Sequence, residues 1–153
     1  MPDQKIKAIL EAAVKIEEQS YELYKMAQKK VDYLSSQKFL GELAQEEIKH
    51  KEKLLAIIEN RRKIAELGES ISIQDLKLVD IMKDVPLAKD ADYQKILIYA
   101  AKREKITHDY YQSLALGLEN TDTGNLFSKL AQEELIHKNR LEREYDDYIL
   151  KEN

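Results

Sequence analysis

Two nine-residue stretches of this chain carry the side chains that could do chemistry. Residues 43–51 read Leu-Ala-Gln-Glu-Glu-Ile-Lys-His-Lys, and residues 130–138 read Leu-Ala-Gln-Glu-Glu-Leu-Ile-His-Lys. Seven of the nine positions are identical at an offset of 87. Each holds a Glu-x-x-His, Glu47 with His50 and Glu134 with His137. That spacing puts a carboxylate and an imidazole on one face of a helix, so one helix can offer a metal both oxygen and nitrogen. The same offset maps Glu17 onto Glu104, Tyr24 onto Tyr111, Leu10 onto Leu97, Ala13 onto Ala100 and Leu54 onto Leu141. A whole set of matches in register is an internal repeat.

The apolar pattern sends these polar groups inward. Leu40, Leu43, position 47, position 50 and Leu54 follow steps of three and four, the stripe by which a helix faces its neighbours. Phe127, Leu130, position 134, position 137 and Leu141 do the same. Leu10, Ala13, Tyr21 and Tyr24 place Glu17 inside, and Leu97, Ala100 and Tyr111 place Glu104 there. Glu17 and Glu47 are 30 residues apart, as are Glu104 and Glu134. Each therefore sits about 22 Å from its turn, and all six groups share one height. Four buried carboxylates repel one another and resist ionisation. Two divalent cations balance their charge, with the imidazoles completing the shell. Oxygen and imidazole ligands suit iron or manganese, with zinc as a competitor. The expected metal ligands are Glu17, Glu47, His50, Glu104, Glu134 and His137.

Neighbouring groups read differently. Tyr24 and Tyr111 follow Glu17 and Glu104 by two turns, where a buried phenol can hydrogen-bond a ligand carboxylate. Glu18, Glu46 and Glu133 lie about 100° round their helices from the ligands, which reads as a solvated face. His108, one turn from Glu104, matches Tyr21 in the first half and reads as structural. Arg61-Arg62-Lys63 reads as solvated helix surface.

The elements that position this chemistry are long helices. The chain has 153 residues, 43% hydrophobic and 35% charged, with four Gly and two Pro. So few chain breakers predict long helices, few turns and a single domain over residues 1–153. The first helix is expected from Asp3, as N-cap, to Val31. A second, capped by Ser35 or Ser36, stops near Gly68. A crossover over about 68–92 contains a short helix, about Gln74 to Lys83, and is interrupted by Pro86. Asp90 or Asp92 caps a third helix reaching Leu118. A turn with Asn120, Thr121, Asp122 and Gly124 leads to a fourth, ending near Tyr148. The fold class is all-α: two helical hairpins joined by a long crossover, a four-helix bundle of ferritin-like topology.

Composition excludes several functions. No cysteine means no disulfide, thiolate nucleophile or thiolate-bound cluster within these residues. A net charge of −4 gives no footprint for nucleic acid or an anionic membrane. No apolar run approaches the roughly 18 residues a membrane span needs. The polar start has no signal-peptide core. A cytoplasmic protein is expected.

With Glu17-x6-Tyr24, Glu47-x-x-His50, Glu104-x6-Tyr111 and Glu134-x-x-His137 in place, the chain resembles the rubrerythrin-like branch of the ferritin-like superfamily over nearly its whole length. The resemblance implies two bound iron ions, bridged by Glu47 and Glu134, with Glu17 and Glu104 as terminal ligands. It implies a di-iron oxidoreductase that reduces hydrogen peroxide, or a ferroxidase or oxidase acting with dioxygen. A non-enzymatic iron-binding bundle is the third reading. It also implies a homodimer, for which the segment from Ile71 to Leu87 is a candidate surface. Rubrerythrins typically append a rubredoxin domain with Cys-bound iron. This chain has no Cys, so its electrons are expected from a separate donor such as a rubredoxin. Many rubrerythrins carry an extra glutamate on the third helix, where this chain has Thr107. Bacterioferritins share the ligand set but add a fifth helix and a haem-binding methionine. Here only 16 residues follow His137, and Ile48 follows Glu47.

Overall fold

The computed structural model describes residues 2–70, 87 and 90–152. They form five helices and, among the described residues, no strand. Helix α1 is Pro2–Gln28 and α2 is Leu34–Ile58. A short α3 covers Arg61–Ser70. Then α4 spans Tyr93–Leu116 and α5 Asp122–Glu152. Helices α1 and α2 form one hairpin, and α4 and α5 the other. Across the bundle, α1 lies against α4 and α2 against α5. None of the described helices is long and apolar enough to cross a membrane.

Several expected boundaries move. Helix α1 already includes Pro2, so Asp3 sits in its first turn instead of preceding it. It ends at Gln28, not Val31. Neither Ser35 nor Ser36 caps α2. Its N-cap is Tyr33, with no side-chain cap bond; Ser36 is buried, and Ser35 accepts from Lys151. Two glutamines do the stapling instead, Gln28 to the Gln37 carbonyl and Gln37 to the Val31 carbonyl.

The second helix does not run to Gly68. It breaks after Ile58, and the Asn60 side chain accepts from the amides of Arg62 and Lys63. Those contacts satisfy donors that a helix start leaves unpaired, so Asn60 starts a new helix. Helix α3 then folds back to bury Ile64 and Leu67 against Leu10, Val14, Leu54 and Ile57. Arg61 and Arg62 are exposed, as solvated surface should be. The crossover helix expected from Gln74 to Lys83, Pro86 and most of the candidate dimer segment lie outside the described residues.

The second hairpin keeps closer to expectation. Asp92 caps α4, its side chain accepting from Lys95 at 2.9 Å. In the turn to α5, Asn120 takes a φ of 66°, the left-handed region that Asn tolerates. Thr121 Oγ1 accepts from Gly124 and so caps α5. Helix α5 continues past Tyr148 to Glu152.

The apolar core comes in two parts. One gathers Ile6, Leu10, Leu54, Leu114, Phe127 and Leu130 with their neighbours. The other gathers Ala27, Leu40, Leu43, Ile96, Leu97 and Leu141. Each fully buried Leu, Ile or Phe contributes roughly 1.5–3 kcal/mol, so the two parts can hold a costly polar layer between them.

Candidate metal centre

That layer contains every group the repeat pointed to. Glu17, Glu47, His50, Glu104, Glu134 and His137 are each at most 2% exposed. Two overlapping groups form: Glu17, Glu47, His50 and Glu134, and then Glu47, Glu104, Glu134 and His137. In each group one ligand atom per residue lies within 4.8 Å of the others. Glu47 and Glu134 belong to both, and the offset of 87 exchanges one group for the other.

The contacts repeat with the same symmetry. Tyr111 Oη donates to Glu17 Oε1 at 2.6 Å, and Tyr24 Oη donates to Glu104 Oε1. Each hairpin's phenol therefore fixes the other hairpin's carboxylate, as expected of Tyr24 and Tyr111. His50 Nδ1 lies 2.6 Å from Glu134 Oε1 and 3.6 Å from Glu17 Oε2. His137 Nδ1 lies 2.9 Å from Glu47 Oε1 and 3.7 Å from Glu104 Oε2. The two imidazoles are stacked, centroids 5.5 Å apart.

Most of these close approaches lack hydrogen-bond alignment. Glu17 Oε2, both Glu47 oxygens, Glu104 Oε2, Glu134 Oε1 and both Nδ1 atoms are buried with no hydrogen-bond partner. Orphaned buried polar atoms are costly, and here they converge on a common space. Oxygen and imidazole donors converging in this way fit divalent cations.

Electrostatics show how the layer copes with protons alone. Burial, and then the neighbouring carboxylates, push Glu47 and Glu134 well above the usual carboxylate range. Burial also opposes ionisation of Glu17 and Glu104, but their polar neighbours outweigh it. The proximity of Glu47 and His50, with the Tyr111 hydroxyl, lowers Glu17. The proximity of Glu134 and His137, with the Tyr24 hydroxyl, brings Glu104 down to about 2. Burial disfavours the imidazolium of His50, yet the Glu133 carboxylate and the nearby Glu17 raise it to about 10. His137 is raised further, against burial, by Glu104, Glu46 and Glu47. Burial and the adjacent carboxylates also raise the Tyr24 and Tyr111 phenols well above their ordinary value, which keeps both as donors. The shifts favour the protonated forms of Glu47, Glu134 and both imidazoles, and cation binding would work against those protons.

Glu46 and Glu133 correct the sequence reading. They are only partly exposed, and each holds an imidazole of the opposite hairpin. His50 Nε2 donates to Glu133 at 2.7 Å, and His137 Nε2 to Glu46 at 3.0 Å. A carboxylate on one ring nitrogen fixes the tautomer and leaves the other nitrogen for a metal. The available signal was the doubling of the whole Glu-Glu-x-x-His run, including its first glutamate. Glu18 does behave as solvated surface, exposed and near Lys51.

Two other positions stand apart from the layer. His108 Nδ1 donates to the Ala131 carbonyl at 2.7 Å and ties α4 to α5, a structural role. Thr107 is buried, and its hydroxyl donates to the Arg103 carbonyl one turn back.

No curated protein and no solved structure matches the chain. One family model does: Rubrerythrin, over residues 8–79, which holds Glu17, Glu47 and His50. The second hairpin lies outside the matched residues, and its place in the site rests on the repeat and the geometry. The chain is thus similar to the Rubrerythrin family over its first hairpin, within a ferritin-like helical bundle that buries a Glu/His cluster able to hold metal.

Proposed function

We propose that the chain is a di-iron oxidoreductase that reduces hydrogen peroxide to water. The observation that carries this reading is the pair of overlapping Glu/His groups sealed between two apolar cores. Glu17, Glu47, His50, Glu104, Glu134 and His137 would hold the metals, Glu47 and Glu134 serving both. When bound there, two ferrous ions would supply the two electrons that peroxide reduction needs, together with Lewis acidity.

The chain's own side chains do the rest. Tyr24 and Tyr111 orient Glu104 and Glu17; Glu46 and Glu133 orient His137 and His50. The apolar cores keep bulk water from the layer. Two protons complete the balance, peroxide plus two electrons and two protons giving two waters. We propose a rubredoxin as the source of the electrons, since these residues hold no cysteine for a relay centre.

One observation favours a second reading, a ferroxidase or oxidase working with dioxygen. Thr107 stands where many rubrerythrins have an extra glutamate, and its hydroxyl is turned to its own helix.

Stopped-flow absorbance of ferric iron on anaerobically Fe(II)-loaded protein separates the readings. Oxidation by hydrogen peroxide much faster than by oxygen supports the first, and the reverse order supports the second. Stoichiometric iron with no turnover by either oxidant leaves an iron-binding bundle. The joint variant Glu47→Ala with Glu134→Ala is expected to lose both metals and keep its helices. Two irons per chain in that variant would show the ligand assignment to be wrong.

A further inference from the structure

The outer faces of the two hairpins differ more than their ligands do. Along α1, Glu11, Lys15, Glu18 and Gln19 are exposed, an ordinary solvated face. At the positions related by the offset of 87, α4 carries Ile98, Lys102, Lys105 and Ile106. Ala12 gives way to Tyr99, and Ile16 to Arg103. Acidic and polar residues have been exchanged for apolar and cationic ones. One exposed isoleucine is ordinary, but five changes in two consistent directions along one face call for an occupant.

Those residues line a groove of about 660 Å3 between α4 and α5, in the size range of small-molecule sites. Leu97 and Ala101 lie along it, and Tyr145 joins them from α5. Its two ends differ. Lys102, Arg103 and Lys105 fall within one turn of α4, and the 3.7 Å approach of His137 to Glu104 puts Lys138 at their height. Leu97 and Ile98, with Tyr145 on the antiparallel α5, lie about 10 Å nearer the start of α4. Glu142 and Asp146 are the carboxylates of the lining, which therefore carries +2 in a chain of −4. The matching positions of the first hairpin carry −1. Glu142 holds Lys138 at 2.6 Å, and Asp109 holds Lys105 at 2.8 Å. Lys102 and Arg103 have no carboxylate partner among the described residues. The Arg103 guanidinium donates to the Ile16 carbonyl and the Ser20 hydroxyl, both neutral.

We propose that this groove binds a long-chain carboxylate. The tail lies against Leu97, Ile98, Ala101 and Tyr145, and the head sits at the cationic end beside Lys102 and Lys105. An apolar wall running into an excess of positive charge matches a molecule with one anionic head and an apolar chain. From Leu97 to Lys105 is about 12 Å along the helix, the span of about ten methylenes with C–C bonds near 1.5 Å. The apolar residues line a slot between two helices, which takes a single chain more readily than the flat surface of a bilayer. None of the lining residues is one of the six metal ligands, so the proposal stands apart from the chemistry of the centre.

The test is calorimetric titration of the full chain with dodecanoate below its micelle concentration. Dodecyltrimethylammonium, with the same tail and the opposite charge, is titrated beside it. Dodecanoate should saturate at one per chain, and the ammonium should bind about tenfold more weakly or not at all. Ile98→Glu with Ile106→Gln gives α4 the residues that α1 carries at those positions and should abolish dodecanoate binding. Lys102→Glu with Lys105→Glu should weaken it about tenfold, the loss of two exposed ion pairs. Both lysines are exposed, so this second variant decides the matter if circular dichroism shows the first to be unfolded. Equal affinity for the two head groups overturns the proposal, as does dodecanoate binding that is unchanged in the folded variants. Failure to bind dodecanoate overturns it too. Capture of the chain by phosphatidylglycerol vesicles in that case would assign the face to a lipid surface instead.

Discussion

The two hairpins share one set of site residues but differ in almost everything that supports it. In the first, α2 breaks after Ile58, and α3 folds back to cover Leu10, Val14, Leu54 and Ile57. In the second, α5 runs unbroken to Glu152, and Leu97 and Ala101 line an open groove with Ile98 and Tyr145. The first turn is stapled by two glutamine side chains, whereas the second relies on close backbone approach. The symmetry is strict where six ligands must meet at one height and loose where only apolar burial is required. Cores accept many solutions of similar volume, but a converging set of carboxylates and imidazoles accepts few.

The turns give the largest expected difference. A Cβ on Gly124 would lie 2.0 Å from the Leu118 carbonyl oxygen. The backbone would have to move, so Gly124→Ala should cost about 2 kcal/mol or more, in the range of overpacked sites. Its counterpart by the offset is Gln37, whose side chain donates to the Val31 carbonyl at 2.9 Å. Gln37→Ala should cost only about 1 kcal/mol, a single hydrogen bond. Urea denaturation of both variants measures the contrast. Equal losses would mean that the turns, despite their different chemistry, carry the same load.

How much of this was legible in the sequence follows the same division. The layer could be read because each ligand interrupts an apolar stripe at helical spacing, and the repeat supplied every observation twice. The break at Asn60 could not, because Leu54, Ile57, Ile64 and Leu67 continue on helical spacing with no Gly or Pro between them. Only Asn60 itself, a favoured N-cap, marked the end. The roles of Glu46 and Glu133 are invisible to any face assigned helix by helix. The imidazoles they hold belong to the opposite hairpin, and no single-helix projection contains that contact.

At the level of the site the hairpins should respond alike. Glu46→Gln and Glu133→Gln each weaken the hold on one imidazole Nε2, and loss of such a partner typically costs ten- to a hundredfold in metal affinity. About tenfold is expected here, since glutamine still accepts a hydrogen bond. Co(II) titration of the metal-free protein, followed by the visible absorption of bound cobalt, measures both losses. An affinity unchanged in either variant would mean that its cross-hairpin contact does not survive metal binding.

The smallest difference separates the two imidazoles in the metal-free protein. Both are raised above the ordinary value of 6.5, His50 to about 10 and His137 beyond it. A histidine that is more basic in the folded state contributes stability that is fully present below its unfolded pKa. That contribution is lost as pH rises through the folded value. His50 should therefore give up its contribution between pH 6.5 and about 10, while His137 still holds its proton. The thermal midpoint of the metal-free protein should fall across that window, and nitrogen chemical shifts of the rings should show His50 titrating first. Glu133 on His50 and Glu46 on His137 are matched partners, so they do not explain the order. Glu104, held down to about 2, is the first-named carboxylate raising His137. Glu104→Gln should accordingly bring the His137 titration down toward that of His50, and an unchanged gap would place its origin outside the carboxylate layer.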